Sequence, residues 1–422
     1  MVAREEWAEI ELGQLGTVIT GRTPPKAEPE LFGGDYPFVT PSDMSYGDRS
    51  PPTERFISEA GAERFRRIRL PAGSTCFVCI GATIGKTCLT SRPSFTNQQL
   101  NSIVPDTRKH DPRFVYYLLV SVVDEIKSLA SGAATPIINK SSFSAFKVKV
   151  PSLRTQERIA AILSAYDDLI ENNTRRIEIL EEMARRLYEE WFVHFRFPWN
   201  EDVELVESEL GMAPDGWSVL PMQDLCSKIT DGAHKSPKST DVGRPMASVK
   251  DMHDWGFSIE KCRRISEDDY QELVRNNCRP LVGDVVIAKD GSYLKHTFAI
   301  EKELDLVLLS SVAILRPNEK VISDLLAIAL RHPDVVARMK GIVSGVAIPR
   351  IVLKDFRAFK IIVPPPTLQL EWIKRAGPML TLCRRLVEKN SNLRAQRDLL
   401  LPKLVTGEID VSEAEAGLEA AE

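Results

Sequence analysis

The chain repeats itself. Ser131 to Gln156 reads SGAATPIINKSSFSAFKVKVPSLRTQ and Ser344 to Gln369 reads SGVAIPRIVLKDFRAFKIIVPPPTLQ; the two align without a gap at an offset of 213 residues, with 12 of 26 positions identical. Trp7 and Trp217 open the two copies, Leu15 and Leu225 keep the same spacing, Ser42 to Met44 (SDM) is echoed by Lys250 to Met252 (KDM), and Gly73 and Gly81 match Gly283 and Gly291. A period this long is not that of a stacked solenoid, so a whole domain has been duplicated. The middles of the copies diverge, as one framework carrying two different readouts would.

The chain's 422 residues support two or three domains, each with its own core. The 43% hydrophobic and 27% charged content is that of an ordinary globular protein. No stretch is apolar for long enough to span a bilayer, and the opening MVAREEWAEI lacks the apolar run of a signal peptide, so a cytoplasmic protein is expected. Seven cysteines, an odd number, argue against a disulfide framework. The overall charge of −4 is uneven: residues 1–150 and 211–363 each carry +2, whereas 151–210 carry −7. Mildly basic heads permit nucleic-acid binding without requiring it.

The heads read as mixed α/β. Apolar runs at Thr75 to Ile80 and Val285 to Ala288 suit buried strands, Phe114 to Leu129 and Ser323 to Met339 suit helices, and Phe146 to Val150 and Phe359 to Val363 suit closing strands stopped by Pro151 and Pro364. Each head then runs into a long heptad pattern. The first seam is Ile159, Leu163, Tyr166, Ile170, Asn173, Ile177, Leu180, Ala184, Leu187 and Trp191. The second is Trp372, Ala376, Met379, Cys383, Leu386, Asn390, Leu393, Arg397, Leu400 and Leu404. Gly377 and Pro378 are expected to bend or delay the second helix. The simplest arrangement pairs the helices antiparallel, with an Asn in each seam specifying register; the alternative packs each helix on its own head. A 32-residue seam makes a rod of about 48 Å, which spans about 14 base pairs of B-DNA. The expected division is a head (1–151), a central helix (152–197), a linker (198–210), a second head (211–364), a C-terminal helix (365–406) and a polar tail (407–422).

No catalytic constellation emerges. GATIGKT (Gly81 to Thr87) resembles a phosphate loop but has three residues between its glycines instead of four, and it leads into a strand-like run, so the helix N-terminus that would hold the phosphate is missing. Cys76 and Cys79 form a CxxC with Cys88 beyond, but no second pair completes a zinc site; buried strand residues are the default reading. Six scattered histidines form no hydrolase pattern, and neither an amino-methyltransferase nor a dinucleotide-binding signature is present.

The head loops do carry the residue types that read DNA. Arg22, Thr23, Lys26, Ser42, Lys86, Asn97, Gln98 and Gln99 stand in turn-rich segments of the first head; His234, Lys235, Lys238, Lys250, Lys289, Ser292, Tyr293, Lys295 and His296 do so in the second. Arg and Lys suit guanine edges and phosphates, Asn and Gln suit adenine. Arg64, Arg66, Arg67 and Arg69 add a basic cluster that a solvated face would equally explain.

The closing AFKVKVP and AFKIIVPPPTLQ of the heads, the helix QERIAAILSAYDDLIENNTRRIEILEEMARRLYEEWFVHFRFP and the ending LRAQRDLLLPKLVTGEIDV closely resemble the specificity subunits of type I restriction–modification systems, over nearly the whole chain. The resemblance implies two target-recognition domains that each read half of a split, asymmetric DNA site. It implies two antiparallel helices that set the gap and dock two methyltransferase subunits, and no catalysis on this chain. S-adenosylmethionine belongs, by the same resemblance, to those partners, which methylate adenine, and ATP and Mg to a motor and nuclease subunit. A methylation-only system would share this sequence pattern. Two other classes stay open on the residues alone: a scaffold whose heads bind proteins, which salt would weaken less than DNA binding, and a nuclease site hidden in a head.

Overall fold

The structure is a computed structural model that describes residues 7–130, 135–199, 203–290, 294–344 and 350–411. In chain order the first copy supplies β1 (Ala8–Glu11), β2 (Gly16–Thr20), β3 (Phe32–Val39), β4 (Phe56–Ile57), α1 (Glu59–Arg64), β5 (Thr75–Val78), β6 (Thr87–Leu89), β7 (Phe95–Thr96), β8 (Leu100–Pro105), α2 (Pro112–Ser121), α3 (Val123–Lys127), α4 (Lys140–Ser144), β9 (Lys147–Val150) and the long α5 (Leu153–Tyr188). A hairpin of β10 (Leu205–Ser208) and β11 (Gly211–Pro214) follows. The second copy supplies β12 (Ser218–Pro221), α6 (Met222–Leu225), β13 (Cys226–Asp231), β14 (Arg244–Ala247), β15 (Met252–His253), β16 (Gly256–Phe257), β17 (Arg263–Ile265), α7 (Glu267–Arg275), β18 (Val285–Ala288), β19 (Thr297–Ala299), β20 (Val307–Leu308) and β21 (Val312–Pro317). It ends with α8 (Ser323–Arg331), α9 (Pro333–Lys340), β22 (Val343–Ser344), β23 (Arg350–Ile351), α10 (Leu353–Ala358), β24 (Lys360–Val363) and α11 (Pro366–Val405). Among the described residues, no helix is long and apolar enough to cross a membrane.

The duplication read in the sequence is a duplication of topology. The four-stranded sheet β2-β8-β5-β6 of the first head recurs as β13-β21-β18-β19, the three-stranded β4-β3-β7 as β17-β14-β20, and the closing pair β1-β9 as β12-β24. The central strands are apolar because both faces are covered: every residue of β5 and of β18 is buried.

By packing, the chain forms two compact units, residues 1–172 with 389–422 and residues 173–388. The division falls within the helices, because each head packs on the start of its own helix and on the end of the other. In the first unit Ile159, Ala160 and Leu163 of α5 share a core with Phe114 and Tyr117 of α2 and with Leu401, Leu404 and Val405 of α11. In the second, Leu325 and Ala329 of α8 share a core with Ala184, Tyr188, Trp191 and Phe192 and with Leu368, Trp372, Ala376 and Leu380 of α11. Helix pairing and helix-on-head packing, alternatives in the sequence, therefore coexist.

The pairing is antiparallel within each unit. In the first, Asn390 donates to the Ile170 carbonyl at 3.3 Å, and Arg397, seven residues on, pairs with Asp167, three residues back. In the second, Cys383 Sγ lies 3.7 Å from the Ile177 carbonyl, while Trp372 and Ala376, earlier in α11, pack with Ala184 and Tyr188, later in α5. All the seam positions are buried or half-buried; Tyr166, Leu180, Leu187, Met379, Leu393 and Leu400 are the half-buried ones.

Three sequence expectations are corrected. Phe114 to Leu129 and Ser323 to Met339 are each two helices: α8 stops because Pro333 drives His332 into an extended conformation (φ −63°, ψ 135°), and α2 ends at Val122. The break at Gly377-Pro378 does not occur. Pro378 removes one backbone hydrogen bond from α11, but Trp372 and Ala376 before it and Leu380 and Cys383 after it are buried, and that packing carries the helix through. In the tail, Val411 is buried in the first core, while residues 412–422 lie outside the described residues.

The last identical residue of the repeat has a defined task. Gln156 donates to the Pro151 carbonyl at 2.9 Å and accepts from the Asp111 amide at 3.1 Å; Gln369 donates to the Pro364 and Lys320 carbonyls at 2.9 and 2.8 Å and accepts from the Ile322 amide at 3.0 Å. Both are buried, so each ties the start of a helix to the cap of a head helix with groups that no water replaces. Gln369→Leu leaves those groups unsatisfied and is expected to destabilise the second unit by about 2 kcal/mol or more, read as a lower urea midpoint; Gln156→Leu is expected to do the same in the first.

Candidate nucleic-acid interface

The strand registers bring distant loops to one end of each head. In the first head Thr20 pairs with Asn101, Val78 with Leu100, Phe77 with Thr87 and Val39 with Thr96. The loops after β2, after β3, between β5 and β6, and before β8 therefore leave the same edge. Gly21 donates to the Leu100 carbonyl at 3.2 Å and Arg22 to that of Thr96 at 2.9 Å. This closeness demands glycine: a Cβ on Gly21 would stand 2.3 Å from the Thr96 and Asn97 carbonyl oxygens.

On this edge the sequence-predicted residues meet. Thr23 donates to Gln98 at 2.8 Å, Asn97 to Gln99 at 2.9 Å, and Lys86 reaches the Pro41 carbonyl at 3.0 Å, next to Ser42. Arg22, Lys26, Ser42 and Gln98 are exposed, Thr23, Lys86 and Gln99 half-buried, and Asn97 is buried beneath them. The Arg22 guanidinium lies 5.9 Å from the Phe65 ring centroid, which joins the basic cluster of Arg64, Arg66, Arg67 and Arg69 to the edge; within it Arg64 pairs with Glu28 and Arg66 with Glu63. GATIGKT is the hairpin between β5 and β6, with Gly81 and Gly85 at φ +91° and +95°; it enters a strand and forms no phosphate cradle. Cys76 and Cys88 face each other across β5 and β6, and burial pushes the Cys79 thiol up to about 11, so it stays protonated among the buried strand residues. Among the described residues, no group of three His, Cys, Asp or Glu could hold a metal ion.

The second head repeats the edge with other side chains. Gly232 and Ala233 donate to the carbonyls of Val312 and Leu308 at 3.1 and 2.7 Å, and a Cβ on Gly232 would stand 2.1 Å from the Leu308 carbonyl oxygen. His234, Lys235, Lys238, Lys250 and Lys295 are exposed on the loops around it; His234 lies 3.1 Å from Asp231 and Lys235 3.5 Å from Glu272. His296 is half-buried and bonds Asp254 at 2.8 Å. Ser292 and Tyr293 lie outside the described residues. Lys289 is a correction: it is buried, and its ammonium sits 2.8 Å from Asp231 and 3.9 Å from Asp290. A lysine at the end of a fully buried strand needs a counter-ion, so Lys289 supports the edge from below and presents no charge to a phosphate.

The structure adds residues that composition did not suggest. Gly21 and Gly232 each open the loop after the first strand of the main sheet. Ile137 and Arg350 bridge to Ile80 and Asp290 beside the β5-β6 and β18-β19 loops, and both are exposed. They occupy the same place in the repeat window, where an isoleucine in one copy faces an arginine in the other; that swap is the signal that would have found them.

Each unit thus carries a similar platform of divergent loops set on paired helix segments. Residues 4–182 match the family model described as the type I restriction modification DNA specificity domain. The chain is 27% identical over 433 residues to the MjaIX type I restriction enzyme specificity subunit of Methanocaldococcus jannaschii, covering 97% of this chain and 95% of that one. It is 36% identical over 188 residues to the HindI specificity subunit of Haemophilus influenzae, covering 43% and 40%. The crystal structure of the type I restriction-modification S subunit from M. genitalium shares the fold at a TM-score of 0.60 and 17% identity, over 96% of this chain and 97% of that one. Over nearly its whole length the chain is therefore similar to type I restriction enzyme specificity subunits, and its residues 4–182 match their DNA specificity domain.

Proposed function

We propose that this chain reads a split, asymmetric double-stranded DNA site, one half with each head, as the non-catalytic subunit of a restriction–modification complex. The observation that carries this reading is the same four-loop edge built twice with different side chains: Arg22, Thr23 and Gln98 in one head, His234, Lys235 and Lys295 in the other. Exposed Arg, Lys, Asn and Gln contact base edges and phosphates, and the difference between heads makes the site asymmetric. The helices set the gap and offer their outer faces to two modification subunits, which bind S-adenosylmethionine and methylate adenine; a motor and nuclease subunit uses ATP and Mg. A base inside a duplex cannot reach a catalytic pocket, so the modification subunit flips the target adenine once this chain has positioned it.

The test is genome-wide adenine methylation mapping in cells that carry this chain with its modification subunit, against cells lacking only this chain. Loss of one split, asymmetric motif is expected. An unchanged methylation pattern, with the modification subunit present and active on another specificity subunit, would overturn the reading.

A further inference from the structure

In each head, the loop that leaves the strand beside the reading edge also reaches down to the helices. After β3 the first head's loop passes Ser42 at the edge and arrives at Arg49. Arg49 Nη2 lies 2.6 Å from Asp168 and 3.0 Å from Glu171, and its Nε bonds the second Glu171 oxygen at 3.1 Å. The fork is bidentate on Glu171, the geometry that fixes position as well as charge. Its side chain is 11% exposed, whereas those of Asp168 and Glu171 are 65% and 47% exposed. The same loop holds the head at its middle: Tyr46 donates to the Ile84 carbonyl at 3.1 Å, Arg397 of α11 donates to the Gly47 carbonyl at 3.2 Å, and the Arg49 carbonyl accepts from Leu89 at 2.8 Å.

After β14 the second head's loop does the equivalent with different chemistry. It carries Lys250 at the edge and folds into the β15-β16 hairpin, whose turn holds Trp255. Trp255 packs on Ile177 of α5 and on Cys383 and Leu386 of α11, with the Arg331 and Arg384 guanidinium carbons 5.8 and 5.9 Å from its ring centroid. Asp254, beside it, bonds His296 of the neighbouring reading loop.

The geometry points to Arg49 and Trp255 as positioning residues that hold one reading loop of each head in register with the helix pair. This rests on the DNA-reading function proposed above. Neither side chain touches a base; each acts through the loop whose far end carries Ser42 or Lys250. Contacts held loosely by even an ångström lose discrimination, so releasing one staple blurs the half-site read by that head and leaves the other sharp. An arginine fork in one head and a packed tryptophan in the other also give the two staples different sensitivities: salt screens the ion pair, whose carboxylates are exposed, more than the apolar contact.

The experiment selects bound DNA from a random duplex library with the full complex of chain and modification subunits. Arg49→Ala is expected to lower discrimination roughly tenfold in one half-site, Trp255→Ala to do so in the other, each leaving the opposite half within twofold. Asp168→Asn with Glu171→Gln removes the charges of the first staple from its exposed helix side and is expected to reproduce the Arg49→Ala profile. Arg49→Glu with Glu171→Arg is expected to restore the lost half-site. Discrimination unchanged in both halves, or lost equally in both, overturns the inference. Absence of any split motif from the unmodified complex overturns the proposed function instead.

Discussion

Arg397→Met is expected to destabilise the first unit by about 3–5 kcal/mol. Arg397 and Asp167 are 5% and 3% exposed, and their ion pair is the polar heart of the helix contact in that unit. Tyr117 of the head donates to the same carboxylate at 2.6 Å, and burial, with that carboxylate beside it, pushes the Tyr117 phenol above its usual value. Removing the guanidinium leaves a buried carboxylate with a phenol for company, and an uncompensated buried charge costs more than the pair contributes. Arg397→Met with Asp167→Asn removes both charges while keeping an acceptor for Tyr117; it is expected to regain at least half of the loss. A urea titration of the four-member cycle measures this, and a double variant as unstable as the single one sinks the argument. The symmetry of the repeat supplies an internal control. At the offset of 213 the places of Asp167 and Arg397 in the other unit are held by Leu380 and Ala184, both buried. One duplicated contact is thus ionic and its counterpart apolar, so the charge is not a requirement of the fold.

Gly232→Ala is the second large effect. Its Cβ would stand 2.1 Å from the Leu308 carbonyl oxygen and 2.5 Å from that of Leu309, both backbone atoms that cannot rotate away. The strand or the loop must move, at an expected cost of about 2–3 kcal/mol. Because Gly232 opens the loop carrying His234, Lys235 and Lys238, the displacement is also expected to erase discrimination in one half-site. Gly21→Ala is the counterpart in the first head. Gly377→Ala is the contrast: it lies within α11, with nothing nearer to a Cβ than Ile373 at 3.6 Å. It is expected to leave stability unchanged or raised by about 0.5–1 kcal/mol. Thermal or urea midpoints of the three variants check the set, and an unperturbed Gly232→Ala would show that the close approach relaxes freely.

Much of this was legible before the fold was known, for reasons that are physical. The heptad seams are local periodicities, and a helix turns local periodicity directly into a face; Ile159, Leu163, Ile170 and Ile177 are buried because nothing but helix geometry is needed to align them. The duplicated topology followed from identical residues at fixed spacing. The shared loop edge was half legible: residue types singled out Arg22, Thr23, Gln98, His234 and Lys235, and the strand registers place their loops together. Lys289 misled, since its charge type says nothing of whether the chain buries it against Asp231. Pro378 misled as well, since a helix-breaking residue in isolation is outweighed by the packing of Trp372, Ala376 and Leu380 around it.

The sequence by itself determined that this protein has two related heads, two long amphipathic helices, and different loop chemistry at corresponding places. These are properties of spacing and identity along one chain. Only the tertiary structure decided which loops share an edge, that Gly21 and Gly232 must be bare for strands to pass at carbonyl distance, that Arg397 finds Asp167 some 230 residues away, and that the first head is stapled to its helices by Arg49 and the second by Trp255. Such contacts depend on strand register and on which charges burial can tolerate, and both are settled by the packing of distant segments.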